Sequence, residues 1–511
     1  MAINDISLGD FAAENDPRLS EYFLDDTHEY NSAKKIDDYR YILLGRTGSG
    51  KSAILSHLNE NFKVNNRFLC VFIRPEKSYL DAIVQTQEFH DLKQAKGLQH
   101  ILYKLIWNYV IMVSVLRQKY GPGGPMKRHE ILFGEKLRAY KFLKRANQLA
   151  QEEQTLFDVF FGLLQEIRIS IQGISAAGRF QEKSSYEIMR DLIKETEDFH
   201  EKGFWDVVGG DKLYLLFDDL DLGWNPRDED QQLLLRGLFE TMKNYVYRDR
   251  VKPLIALRTN ILDGLNLPQR EKYENNILPF QWTKSNLKKM LLLRLVKYGG
   301  IDESDGFNGF FYSEKGSEYP VDYMIERTLH RPRDLLAFCT YAISEASRAG
   351  VDKISMEQVI QAESTYSVNR LQALEDEWKY SYPNLSSLVT LMIKIASRDH
   401  QLNSLKPREI RSILLETKER ILTALPDEES QYSKLVWIRS YFPNDDDPSE
   451  IAKILYRLGI LGVRSKEDKL LFVYESEEMA PILQETDFVF HPMLHRIPTG
   501  GFQFKEENPW K

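Results

Sequence analysis

Eight residues, Gly45-Arg46-Thr47-Gly48-Ser49-Gly50-Lys51-Ser52, constrain this chain more than any other stretch. They match G-x-x-x-x-G-K-[ST]. Glycines let the backbone turn so that successive N–H groups converge, an arrangement suited to phosphate oxygens. Flanking sequence separates such a loop from a chance glycine turn. Here an apolar run at 40–44 precedes it and an amphipathic stretch at 51–62 follows. A buried strand leading into a helix N-terminus is what an anion site of this type requires. In that setting Lys51 reaches the β- and γ-phosphates of a nucleoside triphosphate, and the Ser52 hydroxyl ligates magnesium. The expected nucleotide contacts run from Gly45 through Ser52 to Ala53.

A loop of this kind needs a carboxylate at the end of a neighbouring strand to hold the metal through water. "KLYLLF" at 212–217 reads as a buried strand and runs directly into Asp218, Asp219 and, two residues on, Asp221. Adjacent buried carboxylates repel unless a cation is near, so magnesium gives them a role. Asp218 is the expected metal ligand. Asp219, with Asp221 second, is expected to polarise the attacking water. A plain acidic turn is the alternative. Further strands are expected at 67–73 and at 252–260, the latter ending in Arg258-Thr259-Asn260. Polar groups at the carboxyl end of such a strand face the ligand crevice. Thr259 or Asn260 is placed to orient water, and Arg258 to contact phosphate or Asp219; a salt-bridged strand end is the bland alternative. The continuous apolar strands, alternating with helical patterns, predict a parallel α/β sheet covered on both faces.

Beyond about residue 284 the pattern turns helical. "HRPRDLL" (330–336) opens a helix with Pro332 in its first turn and Asp334 complementing the positive helix end. Arg331, carried on a helical lid, is expected to read the γ-phosphate. Otherwise Arg331 and Arg333 are surface groups pairing with Glu326 and Asp334.

Taken together, "GRTGSGKS", "LYLLFDDLD", "ALRTN" and "HRPRDLL" resemble the Walker A, Walker B, sensor 1 and sensor 2 elements of AAA+ and STAND P-loop ATPases. Their order is most similar to the origin-recognition/Cdc6-like branch, and to a set of prokaryotic P-loop ATPases found near phage-defence or mobile-element genes. The resemblance implies a P-loop NTPase parallel sheet with a helical insertion, a helical lid domain and a C-terminal winged-helix-like domain. Its boundaries fall at 1–38 for a segment leading to the nucleotide site and 39–283 for the core, with the insertion at about 76–209. The lid follows at 284–380, and the C-terminal domain at 385–511 after a linker at 381–385. It also implies that Tyr22-Phe23 and Thr27-His28-Glu29-Tyr30 precede the loop, with Tyr30 covering the adenine. ATP and Mg2+ are the implied cofactors. Asp219 departs from the Glu usual at that position, which points to slow or partner-stimulated hydrolysis. Arg270 is the best candidate for an arginine finger supplied to a neighbouring subunit.

With 511 residues the chain has room for about three domains, and 42% hydrophobic content supports real cores. A net charge of −8 argues against non-specific coating of nucleic acid. Cys70 and Cys339 sit in apolar runs and read as buried thiols of a reducing compartment. No secretory signal is legible at the N-terminus, and the apolar stretch at 101–116 is shorter than the roughly 20 residues a membrane span needs, so a cytoplasmic protein with no membrane partner is expected. Lys127, Arg128, Lys136, Arg138, Lys141, Lys144 and Arg145 form a basic cluster in the insertion. It is either a solvated face or a phosphate-binding stripe. The C-terminal segment, with 404–421, suits either partner docking or DNA. The expected function is an ATP-dependent regulatory switch acting on an effector or toxin protein from the same operon, in a homo-oligomer or hetero-complex. A DNA-engaging ATPase and a non-hydrolysing scaffold are the alternatives.

Overall fold

A computed structural model describes residues 6–12, 15–63, 68–74, 99–120, 134–145, 194, 196–220, 224–265, 267–314, 319–397, 402, 405, 407–425, 432–441, 448–464, 470–475 and 487–498. The chain divides into two compact bodies. One comprises Asp25–Gly45 and Lys51–Phe280; the other comprises Met1–Leu24, Arg46–Gly50 and Gln281–Lys511.

The first body is built on five parallel strands: β1 (Ile42–Gly45), β2 (Phe68–Ile73), β3 (Lys212–Phe217), β4 (Val251–Arg258) and β5 (Ile277–Pro279), in the order β2-β3-β4-β1-β5. Residues of β1, β3 and β4 are buried almost throughout, which is why their apolar runs do not alternate. Helices Gln99–Tyr120 and Glu229–Val246 pack on each other and share one core with the sheet. The Trp107 indole donates to the Leu234 carbonyl at 2.8 Å. No helix among the described residues is long and apolar enough to cross a membrane. Register sets the working end of the sheet: Gly45 lies beside Arg258, and Ile73 beside Phe217.

Two details differ from the expectation. Strand β4 stops at Arg258, and Thr259–Asn260 open a helix, Thr259–Gly264, instead of ending the strand. The reason is that Ile261 and Leu262, adjacent in sequence, both enter the core, which a strand cannot arrange on one face. A fifth strand, β5, was not foreseen. It has three residues and ends in a proline, which an edge position tolerates.

The second body has two cores. Helices Lys284–Gly299, Pro320–Glu326, Pro332–Ala349 and the first part of Met356–Trp378 form one, joined by Leu8 and Leu24 of the N-terminal segment. That segment is held to helix Lys284–Gly299 by Asp16, which accepts hydrogen bonds from Tyr22 and from Tyr298 (2.5 Å). Arg294 adds donors to the Leu8 and Asp10 carbonyls. Burial would raise the Asp16 carboxyl, but the two tyrosines and Arg294 outweigh it and hold it low.

Helices Leu385–Ala396, Pro407–Ala424 and Ser449–Leu458 form the other core with three antiparallel strands, β6 (Leu461–Arg464), β7 (Leu470–Leu471) and β8 (Asp487–Phe490), in the order β7-β6-β8. Leu371, Leu374, Trp378 and Tyr382 also belong to it. The stretch at 381–385 is therefore packed: Tyr382 is buried and the Pro383 carbonyl accepts from Trp437 at 3.0 Å. Tyr382, packed between Trp378 and Trp437, explains this, since the buried aromatic area outweighs the turn character of the sequence.

Gly237 shows how closely the two sheet-body helices meet. A Cβ there would lie 2.6 Å from Tyr103 Cβ and 3.1 Å from its carbonyl carbon. Gly237→Ala is expected to destabilise the protein by about 1–3 kcal/mol through overpacking, outweighing the helix preference of alanine. Urea denaturation followed by tryptophan fluorescence measures this; an unchanged or higher midpoint would contradict the close contact.

Candidate functional site

The phosphate-loop motif is shared by the two bodies, and each part is built separately. In the sheet body, β1 delivers Gly45 and helix Lys51–Lys63 begins at Lys51. The buried Lys51 ammonium donates to the Gly45 carbonyl at 2.9 Å, so the lysine curls back over the start of its own loop. Ser52 Oγ lies 3.1 Å from Asp218 Oδ1. Strand β3 ends at Phe217, so Asp218 stands directly at its carboxyl end, and it is buried. Two residues 166 apart in sequence thus present oxygen atoms to one point.

Asp219 follows with φ of 55°, left-handed backbone that an Asp adopts more readily than most residues. This turns the chain after β3. Asp221 lies outside the described residues.

Arg74, just past β2, was not singled out from sequence. Its Nη2 lies 3.4 Å from Asp218 Oδ2 and 3.2 Å from Ser56 Oγ, and its guanidinium rests 4.1 Å from the Phe72 ring centroid. A basic residue at the end of a predicted strand neighbouring the Asp218 strand was the available signal. Arg258 comes alongside Gly45 through strand pairing, with Thr259 and Asn260 in the first helical turn beyond it.

Ala53 is on the first turn of helix Lys51–Lys63, partly buried. Tyr30 is buried against that helix: its ring lies 5.4 Å from His57, and its hydroxyl accepts from Asn61 at 3.3 Å. Arg270 is half exposed and paired with Asp263 at 3.2 Å.

In the helical body, residues Arg46–Gly50 are gripped from several sides. Gly48 and Gly50 have φ of 76° and 93°, and a Cβ at Gly48 would sit 2.8 Å from Arg333 Cβ, so glycine is required there twice over. Trp282 donates its indole N–H to the Ser49 carbonyl at 2.8 Å. Arg331 is fully buried, not on the surface. Its Nη1 donates to the Thr47 carbonyl at 3.0 Å and to Glu377 Oε2 at 2.9 Å. Glu377 Oε1 in turn accepts from the Thr47 N–H at 3.4 Å.

The pairings weighed from sequence are replaced by others. Asp334 binds Arg370, and Glu326 binds Lys284 at 3.3 Å. Arg46 leaves the loop and donates to the Arg457 and Leu458 carbonyls, at 3.1 Å for the latter. These are the last residues of helix Ser449–Leu458, whose C-terminal end favours a cation.

Glu377 is the centre of this cluster. Burial pushes its carboxyl up, but Arg331, Arg370 and Arg46 pull it further the other way, to about 2. Burial and the neighbouring Arg331 lower the Arg46 guanidinium to about 10. Arg331 Nε and Nη2 are buried with no hydrogen-bond partner. Two donors of a buried guanidinium are therefore available to an anion. Among the described residues there is no group of three or more His, Cys, Asp or Glu suited to a metal. The oxygen pair of Ser52 and Asp218 fits a magnesium ion that keeps most of its waters.

Residues 285–375 match the family model of the FunZ-associated C-terminal helical domain. The chain is 22% identical over 492 residues to an 80.3 kDa protein named for transposon gamma-delta of Escherichia coli strain K12, covering 90% of this chain and 62% of that protein. It spans about three fifths of that relative's length. Similar solved structures include the Aeropyrum pernix ORC2 protein in ADPNP-ADP complexes (12% identity, 95% of each chain, TM-score 0.40). The Aeropyrum pernix ORC1 protein in complex with DNA is another (14% identity, 93% of this chain and 91% of that one, TM-score 0.36). Drosophila ORC bound to DNA is a third (12% identity, 96% and 92%, TM-score 0.30). Likeness at this level assigns no activity to the chain.

The Glu377 cluster has a pH signature. A carboxyl held near 2 in the folded protein, below its ordinary value near 4.5, contributes stability that is present above about pH 4.5. That stability is lost as pH falls from there towards 2. Glu377→Gln is expected to cost about 3–5 kcal/mol at pH 7, because Arg331 loses its buried ion partner and Arg370 and Arg46 lose a neighbouring negative charge, and to flatten the acid limb of stability against pH. Chemical denaturation from pH 7 to pH 3 measures both; an acid limb identical to wild type would contradict the role given to Glu377.

Proposed function

We propose that this chain binds ATP with magnesium through Gly45–Ser52, hydrolyses it slowly, and serves as a switch read by another macromolecule. The observation that carries the reading is the 3.1 Å approach of Ser52 Oγ to Asp218 Oδ1, at the start of a helix and the end of a parallel strand. Those are the positions where a triphosphate–magnesium unit needs its protein oxygens. Ser52 would ligate the metal, and Asp218 would hold it through water. When bound, magnesium supplies charge neutralisation across the phosphates.

Each residue has a separate task in this reading. Lys51 leaves the Gly45 carbonyl to neutralise the phosphate oxygens. Backbone N–H groups of the loop orient the triphosphate. Asp219, whose backbone is left-handed, orients the attacking water, with Thr259 and Asn260 assisting. Arg331 offers its two open donors to the terminal phosphate, which would weaken its hold on Thr47 and Glu377. Loss of the γ-phosphate restores those bonds. That exchange makes the Arg331 contacts the sensing step. ATP is preferred over GTP because no N/T-K-x-D-like guanine motif accompanies the loop.

The readout partner in this reading is an effector protein. A setting among prokaryotic mobile or defence genes agrees with the relative named for a transposon. A DNA-engaging ATPase is the second reading, favoured by the C-terminal order of helices followed by a small antiparallel sheet. Against it, helix Ser449–Leu458 buries Ile451, Ala452, Ile454, Leu455 and Tyr456. It leaves only Glu450, Lys453 and Arg457 partly exposed, and Lys453 pairs with Glu450.

Two measurements separate these readings. In steady-state phosphate release, Asp218→Asn is expected to lower kcat by about 100- to 1,000-fold, and Asp219→Asn by about 100-fold, while Lys51→Ala abolishes ATP binding in calorimetry. Unchanged turnover in Asp219→Asn would remove its assignment, and no turnover in wild type would leave a binding scaffold. In fluorescence anisotropy the chain is expected to bind duplex DNA weakly; strong binding at about 50 mM salt, lost steeply by about 200 mM, would instead favour the DNA reading.

A further inference from the structure

A cavity of about 320 Å³ lies in the sheet body, away from the phosphate loop, among helix Gln99–Tyr120, helix Glu229–Val246 and the segment around His200. Its size is within the range of small-molecule sites, roughly 300–1,000 Å³. The floor is polar and buried: Asn108, Thr196 and His200. His200 Nε2 is buried with no hydrogen-bond partner. The residue begins a π-helical turn, His200–Phe204, a local irregularity that recurs at functional sites. Its ring is fixed by Phe204 (5.6 Å) and Tyr245 (5.3 Å). A buried ring nitrogen with nothing to bind, on a residue that lines a cavity, is costly unless a ligand completes it.

Charges of both signs line the cavity, and those that act on His200 are positive. Lys104 and Arg248 line the cavity, and among the described residues neither makes an ion pair. The Arg248 guanidinium is laid on the Trp205 ring at 4.3 Å, which fixes its plane and leaves its edges free. Two acids, Glu197 and Glu201, also line the cavity; both are exposed, as is Arg248, and neither forms an ion pair with Lys104 or Arg248. Burial, then Arg248 and Lys104, hold the His200 imidazole down to about 4, and no carboxylate opposes them. His200 therefore stands near two cations that no described carboxylate pairs with, and its Nε2 has no partner.

We propose that this cavity is a second ligand site, specific for a terminal phosphate monoester carried by a small molecule of nucleoside monophosphate size. The fork of Arg248 and the ammonium of Lys104 would bind the phosphate oxygens, with His200 Nε2 and the Asn108 amide completing the shell. A terminal phosphate can reach a buried floor; an internal phosphodiester, with chain on both sides, cannot. The site is carried partly by helix Glu229–Val246, which precedes β4 in the sheet that holds Asp218. The cavity thus belongs to the same body that carries Lys51 and Ser52.

Isothermal titration calorimetry on the full chain tests this, using Lys51→Ala so that the phosphate loop does not contribute. The probes are the four common ribonucleoside 5′-monophosphates, inorganic phosphate, and a short single-stranded oligonucleotide lacking terminal phosphates. Saturable binding of a monophosphate is expected, weakened at least 10-fold by Arg248→Ala and by Lys104→Met. Circular dichroism and the unfolding midpoint confirm that both variants fold. Binding of inorganic phosphate as tight as that of the nucleotides supports the phosphate as the recognised group; tighter nucleotide binding supports a nucleoside-bearing ligand. No saturable binding of any probe, binding unaffected by both variants, or preferential binding of the oligonucleotide overturns the proposal. Because Lys51 is already replaced, this outcome is independent of whether the chain hydrolyses ATP.

Discussion

Glu377 sets the terms on which the helical body holds together. Its carboxylate pairs with Arg331 and feels the charges of Arg370 and Arg46; Arg331 also binds the Thr47 carbonyl while Glu377 itself accepts from the Thr47 N–H. A buried carboxylate of this kind is tolerated only with its cations in place, and the cations only with it. The conformation of residues 46–50, the start of helix Pro332–Ala349 and the end of helix Ser449–Leu458 are thereby tied to one charge balance. Arg46 extends the tie to the Arg457 and Leu458 carbonyls. In this cluster a change of charge at the loop has short, rigid paths to the C-terminal core.

The sheet body solves a different problem. Ser52 and Asp218 meet because β1 and β3 both end at the same edge of a parallel sheet, with β4 between them. Parallel register brings strand ends together without any residue choosing a partner. Arg74 benefits from the same geometry, since β2 also ends there. The chemistry expected of the body is a consequence of strand order, with left-handed backbone at Asp219 just past β3.

Much of this was legible from the chain. The loop, the strands at 212–217 and near 42–45, and the carboxylate at Asp218 follow from local rules: glycine where φ is positive, continuous apolar runs where both faces are covered. Other features were not. Arg331 had two pairings in view from sequence, Glu326 and Asp334, and the structure gives it Glu377, 46 residues away. The partners of Arg46 lie more than 400 residues from it. β5 was too short to show a period, and the stretch at 381–385 looked like a linker although its tyrosine is core. The second cavity had no motif at all, because its cations and its histidine come from three separate segments.

What the sequence determined by itself is therefore the glycine loop, the strands that lead to it and the identity of the acid at Asp218, since those depend on backbone sterics and on burial patterns within a few residues. Tertiary structure decided which charge meets which: Glu377 with Arg331, Arg46 with a helix end, Arg74 with Asp218. The energy of a buried charge depends on all groups within a few ångströms, and sequence distance carries no information about that set until the topology is formed.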